Sequence, residues 1–194
     1  MLSIKPKGKK MHTKINTNIL KKAMLTFSLL VSPLFAEVDM TKSLEEVTIS
    51  GDDGGYASAG GAWNSSMLKG KTTMLMYVDP DEKSKGEVFK PTIESFERDL
   101  DFDKFQILVI LNLKATWKPN MLIESLMKSK LKDYPKRVFV LDKDSVLVKK
   151  WDLRNDEYNT LVINKDSTVI YSHSGEWNDA QMSEINSLVR SEVH

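Results

Sequence analysis

The alternation of apolar and polar positions sharpens from Trp63 onward and lays out an α/β domain. Thr72-Thr73-Met74-Leu75-Met76-Tyr77-Val78 is an apolar run of strand length, closed by Asp79-Pro80. Phe89, Ile93, Phe96 and Leu100 then recur at helical spacing on one face of Glu87–Leu100. Gln106-Ile107-Leu108-Val109-Ile110-Leu111 is continuously apolar, as expected of a parallel strand buried on both faces. Pro119 opens a second helix, where its missing N–H costs nothing, and Ile123, Leu126, Met127 and Leu131 give that helix its apolar stripe. Arg137-Val138-Phe139-Val140-Leu141 is another strand, which Asp142-Lys143-Asp144-Ser145 turns into Val146-Leu147-Val148, with no helix expected before the next element. Leu161-Val162-Ile163 and Val169-Ile170-Tyr171 form a hairpin about Asn164-Lys165-Asp166-Ser167. Asn178, with Gln181 three residues on, caps a last helix carrying Met182, Ile185, Val189 and Val193. An alternating start demands parallel strands with right-handed crossovers, while the closing hairpin is antiparallel. The expected architecture is a mixed central sheet with helices on both faces.

Residues 37–62 carry a weaker pattern. Val47 and Ile49 fit one short strand, and five glycines between Gly51 and Gly61 mark turns or mobile loops.

Charge divides the chain. The net charge is +1, yet residues 1–36 hold seven lysines and no acid, which leaves 21 basic against 27 acidic groups in residues 37–194. Nucleic acid requires a basic surface to displace counterions, so an acidic domain argues against that partner. The lysines precede the apolar run Ala23–Val31, and Ser32-Pro33-Leu34-Phe35-Ala36 offers a small residue before a cut. That is the form of a secretory signal, cleaved after Ala36 whether translation starts at Met1 or Met11, and it predicts a periplasmic protein. The run is well short of the ~20 residues needed to span a bilayer, so no stable membrane insertion is expected after cleavage. The expected organisation is a signal peptide over 1–36, a glycine-rich extension over 37–62 and one domain over 63–194.

The chain contains no cysteine. A thiolate is the attacking group in thiol–disulfide exchange, so that activity is excluded. The core must also hold without the disulfides common among exported proteins.

The segment Trp63-Asn64-Ser65-Ser66-Met67-Leu68-Lys69-Gly70-Lys71 leads into the first strand, and Asn159–Ser167 forms the start of the hairpin, with Gly175 before the last helix. These features resemble the TlpA and peroxiredoxin branch of the thioredoxin-like fold. The paired turns Val140-Leu141-Asp142-Lys143-Asp144 and Val162-Ile163-Asn164-Lys165-Asp166 also resemble the YtfJ-type exported proteins, cysteine-poor members of the same superfamily. The resemblance implies a thioredoxin-like fold over roughly residues 60–190 and brings no established activity. Two departures matter. Where the family's redox cysteines would sit, this chain reads Asp79-Pro80-Asp81-Glu82-Lys83-Ser84-Lys85-Gly86, and the family's cis-proline position holds Asn159. A cis bond at a non-proline residue costs about 2.5–4 kcal/mol, so an ordinary trans peptide is expected at Tyr158–Asn159.

Ligands of open α/β sheets bind outside the carboxyl ends of the parallel strands. There the element order brings Asp79, Asp81 and Glu82 near Trp117, Tyr158 and Asn159: two aromatics and an acidic rim, suited to a basic or polar peptide segment. A charged surface turn with packing aromatics fits the same residues. Asp79-x-Asp81 lacks a calcium loop's ligands, because Lys83 and Lys85 stand where oxygens are needed. His173 has no partner histidine at zinc spacing and is expected to face solvent at a strand end. No metal or cofactor is called for. Trp63 and Trp151 are expected in the core and Trp177 as a helix staple, which leaves Trp117 without a structural task. The leading expectation is a non-enzymatic protein that binds an envelope protein or peptide. The alternatives are a metal-assisted or carboxylate-based hydrolase, and a structural accessory subunit of an envelope complex.

Overall fold

The computed structural model describes residues 44–58 and 60–194. The expected signal peptide lies outside these residues, as does the first part of the extension. Among the described residues eight strands occur in chain order: β1 (Thr48–Ile49), β2 (Gly54–Tyr56), β3 (Trp63–Asn64), β4 (Thr72–Val78), β5 (Phe105–Asn112), β6 (Arg137–Asp142), β7 (Tyr158–Ile163) and β8 (Val169–Ser174). The α-helices are α1 (Lys90–Asp99), α2 (Asn120–Asp133), α3 (Val146–Trp151) and α4 (Asp179–Val193), and a 3-10 segment over Lys83–Phe89 leads into α1.

The main sheet runs β2-β6-β5-β4-β7-β8. Its centre is parallel, with β4 beside β5 and β5 beside β6, whereas β7 runs antiparallel to both β4 and β8. Every residue of β4 is buried, as its uninterrupted apolar run requires. One face of the sheet packs Met74, Met76 and Val162 against Ile93 and Phe96 of α1 and Ile185 and Val189 of α4. Val109 and Leu111 extend that face to Ile123 and Met127 of α2. The opposite face buries Leu75, Leu108 and Leu161 under Leu147 and Trp151 of α3 and the N-terminal segment around Trp63. Trp63 and Trp151 meet edge to face at 6.3 Å, the preferred arrangement for two ring quadrupoles. The α/β reading, a mixed sheet with helices on both faces, is therefore the observed architecture.

The helical stripes read from the sequence mark the buried sides of α1 and α4. Phe89, Ile93, Phe96 and Leu100 are all buried. Asn178 and Gln181 form a reciprocal capping box, each side chain accepting from the other's backbone N–H at 3.0 Å.

Three expectations are revised. The run Val146-Leu147-Val148 is helical and opens α3, because the Asp142 carboxylate accepts from the N–H groups of Val146 and Leu147 at 2.9 and 3.1 Å. The glycine-rich stretch contains β2, a strand of the main sheet, where looser turns were expected. A Cβ on Gly54 would stand 1.9 Å from the Leu141 carbonyl oxygen, so only glycine lets this strand approach β6. Leu126, placed in the buried stripe of α2, is 55% exposed.

Candidate functional site

At the carboxyl end of β4, Asp79 is buried and its Oδ1 accepts from the Asp81 N–H at 2.8 Å, closing an Asx turn. Burial, followed by the charges of Asp156 and Glu82, raises the Asp79 carboxyl above the ordinary carboxylate value. Asp81 tethers this loop to the one between β5 and α2. Its carboxylate accepts from the Thr116 hydroxyl at 2.8 Å and pairs with the Lys118 ammonium. Glu82 and Glu157 share Lys85, at 2.9 and 2.8 Å. The carboxylates expected to form an open acidic rim are thus buried or held by lysines.

The two residues expected from β7 are likewise committed. Asn159 is 1% exposed: its amide donates to the carbonyls of Tyr77 and Arg154, while its Oδ1 accepts from the Arg154 N–H and the Ser174 hydroxyl. It stitches the end of the sheet together, and its side chain has no face left for a ligand. No peptide bond among the described residues is cis, and the Tyr158–Asn159 bond is trans. Tyr158 is buried, with its hydroxyl turned to the Met76 sulfur at 3.0 Å. Burial pushes its phenol up to about 12. A Cβ on Gly86 would lie 2.2 Å from the Tyr158 ring, so the 3-10 segment presses directly on the tyrosine.

Tyr158 forms part of the floor of a cavity of about 550 Å³ between α1 and α2. Met76 and Leu111 complete the floor, with Ile93 on one wall and Ile123 and Met127 on the other. Trp117 stands apart from this cavity and is 83% exposed, with the Lys118 ammonium 5.5 Å from its ring centroid. Asp79, Asp81, Tyr158 and Asn159 therefore cluster at one end of the sheet, but Trp117 and Tyr158 do not form two sides of one groove. Trp117 instead continues into Met121, Leu122 and Leu126, all exposed on α2. These were missed as surface residues, although apolar positions at 121, 122, 123, 126 and 127 cover more of a helix than one buried stripe needs.

His173 is half-buried rather than solvent-facing. Its ring lies 4.5 Å from Trp177 and bonds the Glu176 carbonyl and the Gln181 amide. On the other face of the sheet, Tyr77, Asn112, Asp142 and Ser145 form a buried polar cluster. The Tyr77 hydroxyl donates to Asp142 at 3.0 Å and the Ser145 hydroxyl to Asn112 at 2.8 Å. Burial, and then the Asp142 charge, pushes the Tyr77 phenol well above its ordinary range. Among the described residues no group of three or more histidine, aspartate or glutamate side chains is placed to hold a metal ion.

A parallel-centred sheet closed by an antiparallel hairpin, with no thiol beside it, defines a thioredoxin-like protein without a dithiol site. The chain belongs to the family described as "Bacterial protein of unknown function (YtfJ_HI0045)", whose profile matches residues 36–192. It is 26% identical over 131 residues to the uncharacterized protein YtfJ of Escherichia coli K12, covering 66% of this chain and 70% of that protein. Among solved structures it is similar to a putative protein disulfide isomerase from Bacteroides thetaiotaomicron, with a TM-score of 0.58 and 17% identity over 78% of this chain and 88% of that one. The exposed lipoprotein thioredoxin of Streptococcus pneumoniae TIGR4 gives a TM-score of 0.54 and 15% identity over 74% of this chain and 99% of that one. At such identities the structural likeness speaks for the fold alone.

Proposed function

We propose that this protein is exported to the periplasm and acts there, without redox chemistry, by binding a partner protein or peptide. The observation that carries the reading is the strip formed by Trp117, Met121, Leu122 and Leu126, which are 83%, 81%, 49% and 55% exposed. Contiguous apolar surface on a folded domain marks an interaction site, because solvating it costs free energy that a partner recovers. The strip adjoins the loop pinned by Asp81 and Lys118, at the end of the sheet where the fold offers ligand sites. Its position on the outer side of α2 favours recognition by a face over recognition in a groove, which brings the reading close to that of an accessory subunit. Asp79 does not carry a hydrolase reading: its raised carboxyl is tied to its own loop and does not line the cavity. Export rests on the lysine-rich start followed by the apolar run Ala23–Val31.

The test is affinity capture with the protein as the cell makes it, beside Trp117→Ala/Met121→Ala. A partner retained by the wild type and lost by the double variant is expected. Equal capture by both, or by neither, would overturn the reading. Fractionation with N-terminal sequencing checks export, and a mature chain beginning at Glu37 in the periplasmic fraction is expected.

A further inference from the structure

We infer that the cavity between α1 and α2 binds a single-chain amphiphile with an anionic head, of the acyl-carboxylate class. Of the strip on α2 only Leu126 reaches this cavity, while Trp117, Met121 and Leu122 do not, and the inference goes beyond the partner reading. Protein interiors are close-packed, so a space of about 550 Å³ bounded by Met76, Val78, Ile93, Leu111, Ile123 and Met127 is not a packing defect. It falls within the roughly 300–1,000 Å³ of small-ligand sites. The two methionines suit a flexible occupant, since an unbranched thioether re-packs at little cost.

Polarity sets the ligand's orientation. At the floor the Tyr158 hydroxyl is turned to the Met76 sulfur, so the apolar middle of the cavity accepts a chain and not a head group. The charged side chains of the lining are Lys83, Lys90, Lys118, Lys130 and Arg137 against Glu87. Five cations to one anion is the reverse of the balance across residues 37–194, where acids outnumber bases. Several of the five are already engaged. Arg137 is held by Glu97 at 2.6 and 3.1 Å, Lys118 by Asp81, and Lys90 lies 3.7 Å from Glu94. Lys83, just beyond the carboxyl end of β4, and Lys130, in the last turn of α2 over the Tyr134 ring, have no carboxylate partner among the described residues, and they stand at opposite ends of the cavity. An anionic head at either end completes the charge pattern there. A neutral alcohol leaves it unused, and a cationic head is repelled.

The test titrates the protein as the cell makes it, with labelled methionine and isoleucine methyl groups, using decanoate below its micelle-forming concentration. Decanol and decyltrimethylammonium serve as neutral and cationic controls. Saturable one-site shifts at Met76, Met127, Ile93 and Ile123 are expected with decanoate, with clearly weaker binding of both controls. Lys83→Glu/Lys130→Glu changes only exposed side chains and removes the free cation at each end, and is expected to weaken decanoate about threefold, as one exposed charge contact near 0.7 kcal/mol implies. Trp117→Ala/Met121→Ala should leave decanoate binding unchanged, so this site and the partner reading fail separately. Three results would overturn the inference: equal binding of all three amphiphiles, shifts confined to Met121, or saturable binding of an acidic apolar peptide but not of decanoate. If the lysine variant misfolds, the probe series on the wild type decides alone.

Discussion

Two turns in this protein share almost the same residues and send the chain in opposite directions. Asp142-Lys143-Asp144-Ser145 ends β6 and starts a helix; Asn164-Lys165-Asp166-Ser167 ends β7 and starts a strand. Their local chemistry is alike. The Oδ1 of Asp142 accepts from the N–H of Asp144 and Val146 at 3.3 and 2.9 Å, and that of Asn164 accepts from Asp166 and Thr168, both at 3.0 Å. Each turn closes on a serine with positive φ, 52° at Ser145 and 64° at Ser167. The difference lies in the second side-chain atom. A carboxylate has a second acceptor, and the Oδ2 of Asp142 takes the Leu147 N–H and the Tyr77 hydroxyl at 3.1 and 3.0 Å. An asparagine places a donor there and cannot accept another helical N–H. Topology acts in the same direction. β6 is already paired on both sides, by β2 and β5, so the chain must leave the sheet; β7 still has a free side, which β8 fills. One tetrapeptide pattern therefore fixes the tightness of a turn, while a single acceptor atom and the occupancy of the neighbouring strand positions decide whether a helix or a strand comes next.

Making the first turn resemble the second should have the largest effect. Asp142→Asn strips α3 of a buried charged acceptor and is expected to cost about 2–3 kcal/mol, read by chemical denaturation, with faster amide exchange at Leu147. A loss under about 0.5 kcal/mol, the usual range for an inconsequential surface change, would break the comparison. Next come the serines. Ser167 holds a left-handed backbone and its buried hydroxyl has no hydrogen-bond partner, so Ser167→Gly should stabilise by about 1 kcal/mol. Ser145→Gly relieves the same strain but removes the hydroxyl that Asn112 needs. It should fall about 1–2 kcal/mol behind its counterpart, and equal Tm shifts for the two would show that the hydroxyl contributes nothing. Asn164→Asp supplies an acceptor that no helix uses, and should stay within about 0.5 kcal/mol of wild type. The smallest effect concerns pH. Hydrogen bonds from Lys114 and Lys149 lower the Asp144 carboxyl from 3.8 to about 2. Because its folded value lies below its unfolded one, the folded state binds fewer protons than the unfolded chain in that window. Its contribution is present above pH 3.8 and lost as pH falls through about 2. Asp144→Asn should therefore flatten the acid limb of the stability curve between those values; an unchanged limb would assign the acid sensitivity elsewhere.

The same contrast explains what was legible beforehand. The stripes of α1 and α4 and the apolar runs of β4 and β5 were readable because periodicity along the chain maps directly onto a buried face. α3 was not. Val146-Leu147-Val148 has the composition of a strand, and the atom that makes it a helix sits on Asp142 and faces Tyr77, far away in sequence. The site shows this limitation more strongly. Asp79, Asp81 and Glu82 are adjacent in the chain and read as an acidic rim. The cations that face the cavity come from Lys83, Lys90, Lys118, Lys130 and Arg137, spread over three segments that only the fold assembles. Side-chain commitments were equally hidden: nothing in the type of Asn159 or Asp81 announces that its hydrogen bonds are already used.

The short strand β2 has a consequence for how this protein behaves in a crowded compartment. An unpaired outer strand is a template on which other chains can add, and β6, whose residues turn largely inward, would be such a template if it were left bare. Three residues, Gly54, Gly55 and Tyr56, cover it along Asp142, Leu141 and Val140, and glycine's lack of a side chain is what lets them approach. The least patterned stretch of the domain thereby guards it against edge-to-edge aggregation.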